Sequence, residues 1–404
     1  MTPARRGYVV EEDPQSRWSL PADTATIAGE VFRTMASGSQ HGVGMSVREE
    51  RFDWVDRSLA LVVVASTALV VAGGIVQVSF GIYSMTVVEA WRAVFAREVI
   101  LDPNAWQAFA FGTELPEMST DSVIAWNMRL PRVLVAVIVG SALAISGAIF
   151  QAVTRNELAS PFVLGVSSGA GFAVLLTLVM FSSLAAYLPL FAAIGGAGAF
   201  LVVYAIAWKG GTSPVRLVLA GVIVNMVFHS LQMGVFFFVD DVGVARQAIA
   251  WTTGSLTGAD WEEVRLAGPW AALSVILAFG GARQLNVLLL GEETASSLGM
   301  PVERVRFALS GVAILAASAA IAVAGIVSFV GLIVPHVVRT LVGSDYRRLI
   351  VGCAFAGPAL TVTADIGARL ALGSVQMPVG IVTGLIGGPY FLYLMRSQEK
   401  LGEI

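Results

Sequence analysis

Long apolar runs constrain the fold of this chain more than any other feature of its sequence. The longest begins at Phe307 and has no charged side chain before Arg339, whereas one membrane-crossing helix needs about 20 apolar residues. Of the 404 residues, 56% are hydrophobic and 13% are charged, roughly half the charged fraction of a soluble domain. Backbone polar groups in lipid need internal hydrogen bonds, so the runs predict an all-α membrane protein.

We predict ten transmembrane helices with both termini in the cytosol. Basic residues flank the longest run on both sides and belong to the cytosolic face, so this run must cross twice, and we divide it near Ala324–Gly325. The predicted inner loops and C-terminal tail hold eleven Lys and Arg, and the outer segments hold seven. The predicted spans are residues 58–79, 132–153, 162–181, 190–208, 215–238, 266–283, 305–324, 326–342, 349–370 and 379–396.

Three regions follow from these spans. Residues 1–57 have a mixed, polar composition and are predicted to form a mostly disordered cytosolic tail, followed by the membrane domain (58–398) and a short tail (399–404). The start of the chain lacks the apolar core of a signal peptide, so the first span is expected to remain as an anchor. The outer segments 80–131 and 239–265 are predicted to be connectors, the first with an amphipathic helix on the membrane surface.

The sequence contains no recognisable catalytic or metal site. It lacks the P-loop pattern G-x-x-x-x-G-K-[ST], Cys353 is its single cysteine, and no cluster has metal-ligand spacing. Apart from residues near span ends, His229 and Asp365 are the ionisable groups in the apolar runs, whereas gradient-driven transporters usually need such groups. We therefore expect no enzyme activity, no cofactor and no nucleic-acid partner for this chain, and an energy source in another chain.

A charged stretch, LLLGEETASSLGMPVERVR (288–306), lies between two spans. Within it and just before it, residues 285–299 predict two short helices joined by a tight turn. Two glutamates fall in the first turn of the second helix, where they favour the helix dipole. Gly299 suits a left-handed C-terminal cap, and Pro301 prevents continuation of the helix. From local chemistry alone, a surface connector is the simpler explanation.

The same stretch resembles the coupling segment of the iron-chelate and cobalamin uptake permeases, the membrane subunits of type II ABC importers. The resemblance extends over roughly residues 58–398, and Glu157 departs from it where the family commonly has Pro. The other similar stretches are RLPRVLVAVIVGSALAISGAIFQAVTRNELASPFVLGVSSGAGF (129–172), RLVLAGVIVN (216–225), GIVSFVGLIVPHVVRTLVGSDYRR (325–348) and ADIGARLALGSVQMPVGIVTGLIGGPYFLYLMR (364–396).

The resemblance implies a ten-helix permease that works as a dimer in the cytoplasmic (inner) membrane. It further implies a second permease subunit, identical or paralogous, two cytosolic ATPase subunits that bind ATP and Mg, and an extracytoplasmic substrate-binding lipoprotein. The two short helices would fit into a cleft on the ATPase and transmit its motion. The residues implied in this coupling are Leu290, Gly291, Glu292, Glu293, Ala295, Leu298 and Gly299.

Three arginines are the implied docking points for glutamates of the binding protein: Arg129, Arg132 and Arg369. The planar guanidinium group suits this role because it binds carboxylates with two parallel hydrogen bonds. Anchoring to lipid headgroups is the alternative for all three. Arg369 also follows Asp365 at i,i+4 spacing, and the two could form an ion pair.

The predicted fifth span carries three polar residues on one helical face, Asn225, His229 and Gln232. The resemblance implies that this helix lines the translocation pathway, while hydrogen bonding between helices of one subunit is the alternative. Ser213 and Pro214, just before it, match the cytoplasmic gate region of the family.

The expected function is that of a permease subunit importing a ferric siderophore with energy from ATP hydrolysed by its partners. Cobalamin or haem are the alternative cargoes of the same machinery. Two other classes remain open, an ATP-independent secondary transporter and a membrane receptor or scaffold without transport.

Overall fold

The computed structural model of the chain describes residues 54–399, except 82, 84, 210, 240 and 372–375. The predicted tails, residues 1–57 and 399–404, therefore lie almost wholly outside the described residues.

Apart from one isolated β-bridge between Trp208 and Thr212, the regular structure of the described residues is helical. A π-helical turn (Ile124–Arg129) leads into the helix that begins at Leu130, and a 3-10 turn (Ser182–Tyr187) leads into the helix that begins at Leu188. The α-helices are α1 (Arg57–Ser79), α2 (Val87–Val94), α3 (Arg97–Ile100), α4 (Pro103–Phe111), α5 (Thr120–Val123), α6 (Leu130–Thr154), α7 (Val166–Met180), α8 (Leu188–Ala207), α9 (Pro214–Phe236), α10 (Val242–Thr253), α11 (Trp261–Gly280), α12 (Ala282–Leu289), α13 (Glu292–Ser297), α14 (Val302–Ala324), α15 (Val330–Val342), α16 (Tyr346–Leu370) and α17 (Val379–Glu399).

Each of the ten predicted spans coincides with one of these helices. Seven are long and apolar enough to cross a membrane, namely α1, α6, α8, α9, α11, α14 and α16, where α6 is counted together with the turns before it. The other three, α7, α15 and α17, are shorter apolar helices. The all-α membrane fold predicted from the apolar runs is therefore confirmed.

The longest apolar run is broken where the sequence predicted. α14 ends at Ala324, Gly325 follows with a φ of 67°, and α15 begins at Val330. The free backbone groups at this break are bonded by the segment after α10: Ile326 N–H donates to the Trp251 carbonyl (2.9 Å), and Ser255 N–H donates to Ala324 (2.8 Å). Irregular backbone within an apolar bundle requires such partners, so part of the predicted outer connector 239–265 packs into the bundle.

α6 is the central helix, and it packs against α14, α15 and α16, whereas α1, α9 and α11 lie at the periphery. Small residues allow the closest approach between α7 and α8. A methyl group added at Gly169 would overlap the Ala199 methyl and the Gly195 carbonyl. The small residues after Gly165 therefore pack helices together, as expected for a small-residue pattern in a span.

The predicted outer segment 80–131 is a small helical subdomain with its own apolar core. α2 begins with a capping box between Thr86 and Glu89, in agreement with the predicted amphipathic helix. Phe109 stacks between the rings of Trp126 (5.4 Å) and Trp261 (4.9 Å), and so ties this segment to the start of α11.

Candidate functional site

The predicted coupling segment consists of two short helices, α12 and α13, joined at Gly291. Gly291 has a φ of 102°, which a residue with a side chain rarely adopts, and its carbonyl accepts from Ala295 N–H (2.9 Å). Gly299, with a φ of 80°, ends the segment. Asn286 of α12 is bonded to Asp345 and to Tyr346 N–H (2.8 Å), which fixes the segment to the start of α16.

The segment combines one buried anchor with exposed apolar side chains. Ala295 is fully buried against the bundle, whereas Leu290 and Leu298 are 59% and 65% exposed. Glu293 is also exposed. These two leucines contribute little to the packing of their own chain, and exposed apolar side chains in a short charged segment suit contact with a partner.

Glu292, by contrast, is held by a buried charge. Its Oε1 atom lies 2.6 Å from Nη2 of Arg306, whose side chain is only 1% exposed. Arg306 also bonds Glu303 (2.9 Å) and both the carbonyl (2.6 Å) and hydroxyl (2.9 Å) oxygens of Thr212. The coupling segment is therefore joined to α14 and to the turn before α9.

The predicted gate residues begin α9. The Ser213 hydroxyl accepts from Arg216 N–H (3.2 Å) as the N-terminal cap, and Pro214 occupies the first turn, where its missing N–H costs nothing. A cavity of about 620 Å³ lies between this end of α9 and the loop after α6, residues 154–157.

At the opposite end of the bundle, Arg129, Arg132 and Arg369 line one cavity of about 470 Å³. Two of them also cap α1, whose last carbonyls have no partner within the helix. Arg129 donates to the Val78 carbonyl, and Arg369 donates to the Phe80 carbonyl (2.7 Å). The three predicted docking residues are thus brought together, with Arg129 buried and Arg369 half-buried.

Arg132 forms the buried ion pair of this end. Its Nε and Nη2 atoms donate to the two carboxylate oxygens of Asp365 (2.9 and 2.8 Å), and Gln77 donates to the same carboxylate (3.0 Å). Nη1 bonds Gln376 (2.8 Å). The partner of Asp365 is therefore Arg132, and the Asp365–Arg369 ion pair suggested by the i,i+4 spacing is not the one that forms.

The three polar residues of α9 lie in different environments. His229 is exposed and Asn225 is half-buried. Gln232 is buried and donates to the Ser168 carbonyl of α7 (2.7 Å), which corresponds to the alternative of hydrogen bonding within one subunit.

A charged group beside the cavity at the start of α9 was not among the predicted site residues. The Glu157 carboxylate lies 3.2 Å from Arg339 and 3.3 Å from His336 of α15. His336 lies within a predicted span (326–342) and is therefore a third ionisable residue of the apolar runs, in addition to His229 and Asp365. Glu157 stands where the family commonly has Pro, and this difference could have marked it as a candidate site residue. Among the described residues, no group of three or more His, Cys, Asp or Glu could hold a metal ion.

The ten apolar helices, with an exposed coupling segment at one end and an arginine-lined cavity at the other, define a polytopic membrane permease. The chain belongs to the FecCD transport family, whose family model matches residues 69–397. It is thus a membrane subunit of the type II ABC importer class, and the expectation drawn from its motifs is confirmed.

Curated relatives include permeases with different cargo names. The chain is 38% identical to the Fe(3+)-citrate import system permease protein YfmD of Bacillus subtilis, over 70% of this chain and 84% of that protein. It is 41% identical to the hemin transport system permease protein HmuU of Yersinia pestis (68% and 83%). It is 40% identical to the cobalamin import system permease protein BtuC of Halobacterium salinarum (72% and 78%).

A solved structure has the same fold. A metal-chelate type ABC transporter in an inward-facing conformation superposes with a TM-score of 0.70 at 26% identity, covering 84% of this chain and 99% of that one.

Proposed function

We propose that this chain is the permease subunit of a binding-protein-dependent importer that moves a ferric siderophore across the cytoplasmic membrane with energy from ATP hydrolysed in partner subunits. Two permease subunits, identical or paralogous, form the pathway between them. Two ATPases bind ATP and Mg in the cytosol, and a substrate-binding lipoprotein delivers the cargo from outside. Both termini are cytosolic, residues 58–398 form the permease domain, and residues 1–57 and 399–404 are cytosolic tails.

The geometry of the coupling segment carries this proposal. Leu290 and Leu298 project from a segment that Ala295 and Glu292 fix to the bundle, so a partner that grips the leucines also moves the bundle. A flexible loop would dissipate such a motion. Glu293, exposed on the same helix, adds a charge for a basic partner surface.

An ATP-independent secondary transporter is disfavoured by the state of the ionisable groups. Asp365 has both carboxylate oxygens bonded by Arg132 and Gln77, so it is not a free site for a coupling ion. His229 is exposed on α9, and with Asn225 it remains our candidate for the pathway surface. Gln232 can contribute to that surface only when the hydrogen bond from its side chain to the Ser168 carbonyl is broken.

The cargo is proposed from the relatives and not from the site. Permeases named for ferric citrate and for haem, as well as one named for cobalamin, are similar to this chain to about the same degree. A ferric siderophore is our first choice, and haem or cobalamin carried by the same machinery is the alternative.

The function is tested by reconstituting the chain in proteoliposomes with its ATPase and binding protein. Ferric citrate, a ferric hydroxamate, haem and cobalamin are added one at a time, and ATP hydrolysis and uptake are measured. We expect one of the four to stimulate hydrolysis and to accumulate only with ATP. Accumulation without the ATPase, abolished by an ionophore, would identify a secondary transporter. No accumulation of any probe with all partners present would favour a receptor or scaffold.

The docking role of the arginines gives a second prediction. Arg369→Gln removes the half-buried guanidinium from the cavity and leaves the Arg132–Asp365 pair intact. We expect the affinity for the binding protein to fall about tenfold, since a charge-assisted hydrogen bond is worth at least about 1.5 kcal/mol. The difference should shrink at high salt. Biolayer interferometry on permease in nanodiscs measures it.

Arg97→Gln is the matched control, because Arg97 is an exposed outer arginine that does not line the cavity. If both variants retained the affinity of the wild type, these arginines would serve only as helix caps and lipid anchors.

A further inference from the structure

Arg306 forms a cluster with three partners, Glu292, Glu303 and Thr212, and the proposed function uses only the bond to Glu292. The cluster joins residues far apart in the chain, since Thr212 precedes Arg306 by 94 positions. Arg306 and Thr212 are 1% and 2% exposed, so the centre of the cluster is nearly dry. A charge at such a position is stable only when it is paired and hydrogen-bonded, and Arg306 is paired through its two Nη atoms.

Every polar atom of Thr212 is engaged in this cluster. Its N–H donates to Oε1 of Glu303 (3.0 Å), and its hydroxyl donates to Oε2 of the same carboxylate (2.8 Å). Its carbonyl and hydroxyl oxygens accept from Nη1 of Arg306 (2.6 and 2.9 Å). Thr212 therefore has a single orientation relative to α14.

The next residue after Thr212 is Ser213, the cap of α9 at the proposed gate. One planar peptide bond joins the two residues and fixes the distance between their Cα atoms, so a displacement of Thr212 is passed directly to Ser213. Tyr204, in the last turn of α8, also donates to Glu303 (3.2 Å). The ends of α8 and α9 are thus fixed to the same guanidinium and carboxylate groups that hold the coupling segment.

We infer that Arg306 is the positioning residue that transmits displacement of the coupling segment to the gate end of α9. This inference rests on the proposed function, because it assigns the link between two parts of the same transporter. According to this proposal, Glu292 and Arg306 move as one rigid unit with Thr212 and Ser213, so that motion of α13 displaces the start of α9.

The test uses Glu292→Gln, which removes the negative charge that joins α13 to Nη2 of Arg306, while Glu303 and Thr212 keep their bonds to Nη1. Spin labels at Ser296→Cys and Val215→Cys, both exposed positions, report the distance between α13 and α9 in a Cys353→Ala background. We expect one narrow distance distribution without the substitution and a broadened one with it. In the complete transporter, uptake per ATP hydrolysed should fall about tenfold, within the usual range of coupling between sites.

Arg306→Lys is the second variant, since lysine keeps the positive charge but cannot bridge acceptors on both sides with a rigid fork. We expect the same two changes to a smaller degree. Arg304→Gln, which neutralises an exposed arginine on the same turn of α14, should change neither measurement.

Two results would overturn the inference: an unchanged distance distribution, whatever the uptake-to-hydrolysis ratio, or a broadened distribution with an unchanged ratio. The distance measurement on the permease alone needs no ATPase. Failure of the proposed function, seen as no ATP-dependent uptake by the wild-type complex, is therefore distinguishable from failure of this link.

Discussion

Asp365→Ala is expected to lower the free energy of unfolding by about 3–5 kcal/mol, because it leaves the guanidinium of Arg132 buried without its counter-charge. The two side chains are 8% and 1% exposed, so water replaces the lost carboxylate poorly. Gln77 and Gln376 remain as neutral partners and do not compensate a charge. Unfolding of the detergent-solubilised protein in mixed micelles, followed by tryptophan fluorescence as denaturing detergent is added, measures the difference.

Glu114→Ala is the control for this experiment, because it removes an exposed carboxylate from the outer segment and should change the stability by less than about 0.5 kcal/mol. The double substitution Arg132→Met with Asp365→Leu removes both charges and should be more stable than Asp365→Ala alone. If Asp365→Ala had the same free energy of unfolding as the Glu114→Ala control, the Arg132–Asp365 pair would not stabilise the bundle.

This pair also affects how docking experiments are interpreted. Arg132 lines the outer cavity, but its charge is neutralised by Asp365, so a charge reversal at Arg132 perturbs folding and docking together. Among the described residues, the side chain of Arg369 bonds the backbone carbonyls of Gln77 and Phe80, and neither bond neutralises the charge that would attract a carboxylate of a partner. Variants of Arg369 therefore report docking more directly.

The helices were predictable because the length of an apolar run and the sides of its basic flanks are local properties of the sequence. The break after Ala324 followed from the same rule, since one run was too long for one crossing and had basic residues at both ends. The loop after α10 was not predictable as part of the bundle. It forms hydrogen bonds with the free backbone groups between α14 and α15. The sequence of residues 239–265 does not indicate where those groups lie.

The side-chain pairs were the least predictable part. Spacing at i,i+4 suggested that Asp365 would pair with Arg369 on its own helix, but such spacing describes neighbours on one helix only. Packing brings Arg132, from a helix 233 residues earlier, to the same carboxylate with two parallel bonds. Likewise, the position of Glu292 in the first turn predicted only a favourable interaction with the helix dipole, because its buried partner Arg306 lies outside the short helix.

The largest functional effect is expected for Leu290→Ala with Leu298→Ala. Both side chains are mostly exposed, so shortening them costs this chain little stability and removes apolar area mainly from contact with a partner. Burial of a leucine contributes about 1.5–3 kcal/mol, and these two are already partly covered, so about 2 kcal/mol or more should be lost together. The affinity for the ATPase should fall at least about thirtyfold. Interferometry with the purified ATPase and the permease in nanodiscs measures it.

Leu101→Ala is the matched control, because Leu101 is 72% exposed on the outer segment and should leave ATPase affinity unchanged. Melting temperatures of the double variant and the control should agree with that of the wild type, so that lost affinity cannot be assigned to misfolding. Glu292→Lys with Glu293→Lys should also abolish ATP-driven uptake, but the first of these changes breaks the bond to Arg306 as well. The leucines therefore test contact with the ATPase separately from the link inside the permease, and wild-type affinity in the leucine variant would show that this surface is a connector.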